Sequence, residues 1–338
     1  MPTEPDAPPL VEVTQCPGCG GVRRTEVLGP HGGISIVRCD DCGLVHATAG
    51  FAPRFLDAHY GDRVQAQGAQ VAGPRPGSER KRPPLALYQQ LSGNRLRPAP
   101  AGGRALDIGC NTGLLLDLLR EAGYETVGIE RSPAAAEALA AGHQVHALDI
   151  ESDVALPERF DLITMTHVLE HLRRPGAALR WIRAHLRPGG FAVIEVPNWD
   201  DLARPLWGAR YRPLELGDHL TFFQRQTLAD LARGAGLRVH ALWSAPKARS
   251  LIFPSMLTGV DLGVQWLRRG GKAAPVDDNA VGVASTRVGG GGNRLRRAAV
   301  SAVLNGLDRL DPVLERVTGP DWSRGANLVA ILDLGPSA

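Results

Sequence analysis

Between residues 101 and 200 the chain alternates short apolar runs with helix-length segments, and that rhythm leaves few folds open. The runs at 104–108, 126–129, 145–148, 160–165 and 191–196 are strand-length and rich in Val, Ile and Leu, as strands buried on both faces are. Segments 114–122 and 133–141 between them have helical spacing, the second with proline in its first turn. Strand–helix–strand repetition calls for right-handed parallel crossovers, hence an α/β sheet with helices on both faces. Two later runs, 237–243 and 328–334, read as a closing antiparallel pair. About eighty residues separate them, too many for a hairpin loop, so a helical insertion is expected at about 250–322.

Four of the five cysteines lie in the first fifty residues, as Cys16-Pro17-Gly18-Cys19 and Cys39-Asp40-Asp41-Cys42 with nineteen residues between the pairs. Glycine follows each pair, so backbone amides can support the thiolates. Two such knuckles meeting give the closed four-sulfur site of a zinc ribbon, a structural metal with no position left for water. Two disulfides or four core thiols are the alternatives, and His46 is a conceivable substitute ligand. Three arginines (Arg23, Arg24, Arg38) face six acids in residues 1–50, and zinc with four thiolates adds negative charge, so a phosphate backbone would be repelled. With a formal charge of only +3 over 338 residues, nucleic acid is not the expected partner. Residues 51–100 are Pro-, Gln- and Arg-rich, turning helix-like around 85–96; they read as a linker and N-terminal helix before a domain spanning 101–338. The early acids Glu4 and Asp6 do not suit a secretory leader, and the longest apolar stretch, 251–266, is broken by Pro254 and Asp261. A cytoplasmic setting with reduced thiols is the expectation.

At 105–113, Ala-Leu-Asp-Ile-Gly-Cys-Asn-Thr-Gly, a strand ends in a glycine turn and opens a helix. Glycines there let a ligand approach the backbone, and a helix N-terminus favours polar groups. Asp107 just before the turn would repel a pyrophosphate but suits an ammonium. Glu130, seventeen residues past Gly113, ends the second strand, where a carboxylate can accept both hydroxyls of a ribose. Asp149, ending the third, is placed to meet an adenine amino group. Three acids at the carboxyl ends of successive strands make a nucleoside-type site.

These residues resemble the class I S-adenosylmethionine (SAM)-dependent methyltransferases. The likeness rests on Leu106-Asp107-Ile108-Gly109-Cys110-Asn111-Thr112-Gly113, Glu130, and Phe160-Asp161-Leu162-Ile163. It continues through His167-Val168-Leu169-Glu170-His171-Leu172, Leu186-Arg187-Pro188-Gly189-Gly190 and Asp218-His219-Leu220-Thr221-Phe222-Phe223. It implies a Rossmann-like sheet in which Asp107, Gly109 and Gly113 hold the methionine part of SAM, with Cys110 packed beside it. Glu130 would hold the ribose, Asp149 and Ile150 the adenine, and Thr166 and His167 the far side of the pocket. A ribbon before such a domain is similar to sugar C-methyltransferases and to bacterial natural-product or glycan methyltransferases, the former having a larger C-terminal domain.

The sulfonium is already activated, so the protein must align the nucleophile, exclude water and, for an oxygen nucleophile, take a proton. His219 after strand five is the first candidate base, and His171 the second. His167 and His171 at i and i+4 could share a helical face with Glu170 beside them, similar to the acid-and-His cluster of ubiquinone-type O-methyltransferases, where a divalent ion is thought to bind. Those enzymes have Glu at the position of His167. Trp199, Trp207, Tyr211 and Phe222 are read as core or as a sugar-stacking wall. In the insertion, 256–269 and 295–317 are amphipathic, suiting a lid or packed helix better than contact with a membrane surface or a second copy. The expected activity is O-methylation of a sugar, glycan or natural-product hydroxyl. C- or N-methylation, an RNA substrate and a non-catalytic SAM-fold binding module are the alternatives.

Overall fold

The computed structural model describes residues 9–52, 99–152, 154–208, 211, 214–244 and 324–335. The expected helix near 85–96 and the insertion at 250–322 with its two amphipathic segments lie outside the described residues. No helix among the described residues is long and apolar enough to cross a membrane.

The N-terminal strands are β1 (Leu10–Glu12), β2 (Arg24–His31), β3 (Ile34–Cys39), β4 (Val45–Ala47) and β5 (Ala49–Phe51). Then follow β6 (Arg104–Ile108), α1 (Leu114–Glu121), β7 (Glu125–Ile129), α2 (Ala135–Ala140), β8 (Gln144–His146) and β9 (Phe160–Thr166). A 3-10 turn (Leu169–His171) leads into α3 (Pro175–His185), β10 (Leu186–Pro197) and α4 (Arg204–Trp207). The chain continues through β11 (Thr221–Phe222), α5 (Arg225–Gly234), β12 (Arg238–Ser244) and β13 (Asn327–Asp333).

Seven strands form the main sheet in the order β12-β13-β10-β9-β6-β7-β8. The pairs from β10 to β8 are parallel, and β13 runs antiparallel to both neighbours. The closing antiparallel pair therefore forms as the apolar runs predict. Leu106, Ile108, Ile163, Met165, Ile194 and Val196 are buried in one cluster on one face of the sheet, while Ala105 and Leu162 pack with Leu115, Leu118 and Leu119 of α1 on the other. Each of the larger side chains contributes about 1.5–3 kcal/mol relative to exposure, which explains why these strands were readable. Two boundaries move. The third strand is Gln144–His146, ending before Asp149, and the fifth starts early, at Leu186, with a register shift before Phe191.

The cysteine-bearing strands build a second sheet, β2-β3-β4-β11, whose last strand comes from the main domain. The joint is filled by Trp199, Tyr211 and Phe222 packed with Ile34, Ile36, Val45 and Ala47. These aromatics are core, not a sugar-stacking wall: each is at most 5% exposed.

Candidate functional site

In the main sheet the strand order reverses between β6 and β9, the place where open α/β sheets leave a crevice at their carboxyl ends. The two loops beside that crevice nearly touch. A Cβ on Gly109, at φ 77°, would overlap Val168 Cγ2, and one on Gly113, the left-handed residue preceding α1, would lie 2.9 Å from Ala138 Cβ. The amides of Gly109 and Cys110 both donate to the Ile129 carbonyl, at 2.8 and 3.1 Å. At both positions the room a side chain would need is taken by the protein's own Val168 and Ala138, so the glycines let the loops close tightly and spend their amides inside the fold. The crevice these loops border would hold SAM, and its donors fit the group: the buried Asp107 for an ammonium and Glu130 for a diol.

Glu130 directly follows β7 and anchors this loop. Its two oxygens accept from Asn111 N (3.0 Å) and Ser132 N (2.7 Å), and a carboxylate keeps further lone pairs for a diol. Asp107 is 4% exposed and accepts from Thr164 Oγ1, its partner on the adjacent strand β9, at 2.7 Å. Burial, despite that hydrogen bond and with help from the Glu130 charge, pushes its carboxyl up to about 7. An acid so raised costs stability when it ionises: the loss begins as pH rises past the unfolded value and is complete above the folded one. Asp107→Asn keeps an acceptor for Thr164 and is expected to raise the apo Tm at pH 8 but not at pH 4. Equal shifts at both pH values would show the carboxyl is not strained. Asp149 is exposed and accepts from Glu151 N at 2.9 Å, while its neighbour Ile150 is 5% exposed. The Cys110 thiol is buried and pushed up to about 12, chiefly by that burial, which disfavours its thiolate form.

Beyond Thr166, which pairs with Glu195 across β9 and β10, the chain enters the left-handed region at His167 (φ 54°). The expected helical face shared by His167 and His171 does not form, because a 3-10 turn replaces the helix and the two rings take different partners. His167 Nδ1 meets Glu170 Oε1 at 3.2 Å and its Nε2 lies 3.8 Å from Glu195 Oε1. Burial pulls the ring down, but Glu170 by hydrogen bond and charge, then Glu195 and Glu215, hold it well above its ordinary value. His171 Nδ1 donates to the Asp218 carbonyl at 3.1 Å.

His219 stands edge-on to His171, ring centroids 4.7 Å apart, and is 6% exposed. Burial, then the His171 charge, pushes it down to about 4, so it is neutral at ordinary pH. Among the described residues its Nδ1 and Glu170 Oε2 are buried without hydrogen-bond partners, orphans at the heart of the cluster. Donor atoms of Glu170, His171 and His219 lie within 4.8 Å of one another, close enough for one divalent ion to bridge.

Sequence reasoning missed Glu195 and Asn327. Asn327 Nδ2 donates to Glu195 Oε1 at 2.6 Å and reaches His167 Nε2 at 3.3 Å. Glu195 had a signal, being an acid inside the apolar run 191–196 and hence buried with a purpose. Asn327 had none, since its approach depends on a strand more than a hundred residues downstream.

The four ribbon cysteines converge. Cys16 and Cys42 sulfurs lie 3.6 Å apart, as do those of Cys19 and Cys39. A disulfide needs about 2.05 Å, whereas tetrahedral zinc at about 2.3 Å from each sulfur separates them by roughly 3.8 Å. Gly18 N and Gly21 N each point at a thiolate at 3.4 Å. His46 lies outside the cluster, with its Nδ1 on the Ala47 carbonyl. The donor set fits structural zinc, and metal analysis should find one ion per chain; protein purified without chelators that is folded yet carries no metal would refute it.

A family model described as a methyltransferase domain matches residues 78–242. A ubiquinone biosynthesis O-methyltransferase from Bradyrhizobium diazoefficiens is 34% identical over 128 residues, 35% of this chain and 51% of that protein. The chain thus spans about half the length of that relative. One from Xanthomonas axonopodis pv. citri is 33% identical over 158 residues, covering 43% and 66%. A SAM-dependent methyltransferase from Archaeoglobus fulgidus aligns over 73% of this chain and 93% of its own, with TM-score 0.44 and 17% identity. The enzyme of the same ubiquinone-biosynthesis name from Pseudomonas entomophila is 30% identical over 161 residues, 42% of this chain and 68% of that protein. With the sheet order, the glycine loop and this coverage together, the chain belongs to the class I SAM-dependent methyltransferases.

Proposed function

We propose that this protein moves the methyl group of SAM to a hydroxyl oxygen of a small molecule, with His219 as the proton acceptor. The observation that carries the reading is the buried, neutral His219 with an unpartnered ring nitrogen, beside the loops that border the crevice. Bound SAM supplies an electrophilic methyl carbon on a positively charged sulfur. Gly109 and Gly113, whose loops close tightly on Val168 and Ala138, would border its methionine part, Asp107 would face the ammonium, Glu130 would take the ribose diol, and Asp149 with Ile150 would border the adenine. Thr166 and His167 close the far side. His219 receives the acceptor's proton as the oxygen–carbon bond forms, and the carboxylate of Glu170 stabilises the charge that develops on the ring. His171 holds the edge of His219 and fixes its plane. The ubiquinone-biosynthesis O-methyltransferases among its relatives support oxygen as the nucleophile. Within that class we favour a sugar, glycan-end or natural-product hydroxyl over a nucleic acid, because the ribbon is acidic.

The test is methyl-labelled SAM against a panel of phenols and sugar nucleotides. Label on an acceptor oxygen supports the reading, and label confined to amines, carbon or RNA overturns it. Asp107 adds a pH signature. SAM affinity is expected to rise as pH climbs towards about 7 and then level off, because the ionised carboxylate is the form that holds an ammonium. Calorimetry between pH 5.5 and 8.5 checks this, and a flat profile would remove Asp107 from the ammonium site.

A further inference from the structure

We propose that the zinc ribbon is a positioning element for the active-site loop: its metal knuckle holds β4, β4 holds β11, and β11 holds His219 against Glu170. The proposal rests on the reading of His219 as the base.

The second knuckle is itself the turn of a hairpin. Cys39 ends β3, and Cys42 lies three residues before Val45 opens β4. Gly43 N donates to the Cys39 carbonyl and Cys39 N to the Leu44 carbonyl, both at 2.9 Å. Structural zinc sites of this kind lose their fold without metal, so the ion fixes where β4 lies.

β4 then recruits a strand from the main domain. Thr221 pairs with His46 and Phe222 with Val45, and Ala47 N donates to the Leu220 carbonyl at 3.0 Å. β11 is two residues long and sits at the sheet's edge with β4 as its partner there. A strand so short does not hold itself. Leu220 faces both ways: its amide donates to the Glu170 carbonyl at 2.8 Å while its carbonyl is held by the ribbon. His219 is the residue just before it.

The loop is pinned on the other side of His219 as well. Phe51 N donates to the Gly217 carbonyl at 2.8 Å, and a Cβ on Gly217, at φ 98°, would overlap the Phe51 ring. Beyond β11, Arg38 Nη1 of β3 donates to Gln224 Oε1 at 2.7 Å, the residue that caps α5. Residues 220, 221, 222 and 224 are therefore tied to the zinc-bearing sheet, and 217 to β5 just after it, with His219 among them. None of these ties involves Asp107, Gly109, Glu130 or Asp149. Loosening the ribbon should therefore leave SAM binding and disturb the base, and a misplacement of about 1 Å costs roughly a hundredfold in rate.

The experiment uses the full chain, with zinc and after mild chelation. Without zinc, the amides of Ala47 and Leu220 should lose hydrogen-exchange protection together, and His219 should become open to a histidine-labelling reagent. kcat should fall about a hundredfold with SAM Kd within about threefold, and added zinc should restore all of these. Gly217→Ala is the second arm: with one zinc still bound, it should expose His219 to labelling and lower kcat at least tenfold at unchanged SAM Kd. The proposal is overturned if zinc-free protein that still binds SAM keeps Leu220 protected and His219 unlabelled. Should chelation abolish SAM binding, Gly217→Ala decides alone, and a zinc-replete variant with wild-type labelling overturns it. Exchange and labelling need no acceptor, so they test the positioning even if no hydroxyl substrate is found.

Discussion

Glu130→Ala should weaken SAM binding at least a hundredfold, the largest loss expected from any single change in the cofactor crevice. Two effects combine. A carboxylate accepting both ribose hydroxyls makes charge-assisted hydrogen bonds, each worth about 1.5–3 kcal/mol, and about 1.4 kcal/mol is a factor of ten. The same side chain also organises the protein, since its oxygens hold Asn111 N at 3.0 Å and Ser132 N at 2.7 Å. Asn111 is in the left-handed region (φ 49°), a conformation that needs support, and the loop it belongs to is the one that must stay clear of Val168. Alanine removes the ligand contact and lets the loop relax into the crevice. Glu130→Gln separates the two: it keeps an acceptor for one amide but turns an NH2 towards the other, so it should bind SAM with intermediate affinity. Calorimetry on the apo protein gives both numbers. A loss under about fivefold for Glu130→Ala would mean the ribose is held elsewhere.

Glu130 was legible because its position follows from chain-local facts, a strand of known length after a glycine loop of known type. The same holds for Asp107 and for the central strands, whose two buried faces force continuous apolar runs. β8 was misplaced because it is an edge strand, half-exposed, and the apolar Ala147 and Leu148 extend its pattern past the last paired residue, His146. β10 was cut short because Pro188-Gly189-Gly190 is turn chemistry, yet Leu186 already pairs with Phe160 across the irregularity. β11 has no local signal at all. Thr221 and Phe222 are extended because β4, some 175 residues earlier in the chain, offers them an edge. The histidine cluster was half visible for the same reason. His171 and Glu170 are adjacent in sequence, but their approach to His219 is made by that long-range pairing, and Glu195 and Asn327 arrive from two further strands.

His219→Ala is expected to lower kcat by about 10²–10⁴, the usual worth of a positioned proton acceptor, while leaving SAM affinity unchanged. The pH dependence follows from the same burial. In the folded protein the ring is pushed down to about 4, against an ordinary value near 6.5, so the neutral form is the native one. A base of that kind stays competent throughout the neutral range, and kcat should hold until pH falls towards about 4 rather than breaking near 6.5. Stability moves in the same direction. A depressed histidine contributes fully above the unfolded value, and that contribution is lost as pH falls from about 6.5 to about 4, while the unfolded chain takes up the proton. Asp107 works against it over part of the window, its carboxyl costing stability as pH rises towards about 7. The clean measurement is therefore made in Asp107→Asn: there Tm should fall on acidification from pH 6.5 to 4, and adding His219→Ala should flatten that fall. Alanine also removes the orphaned Nδ1, so the double variant should not be less stable than its parent at pH 4. Turnover decides the role. If His219→Ala and His171→Ala each keep near-normal kcat, no histidine takes the proton, and alignment of an already ionised or carbon nucleophile has to carry the reaction.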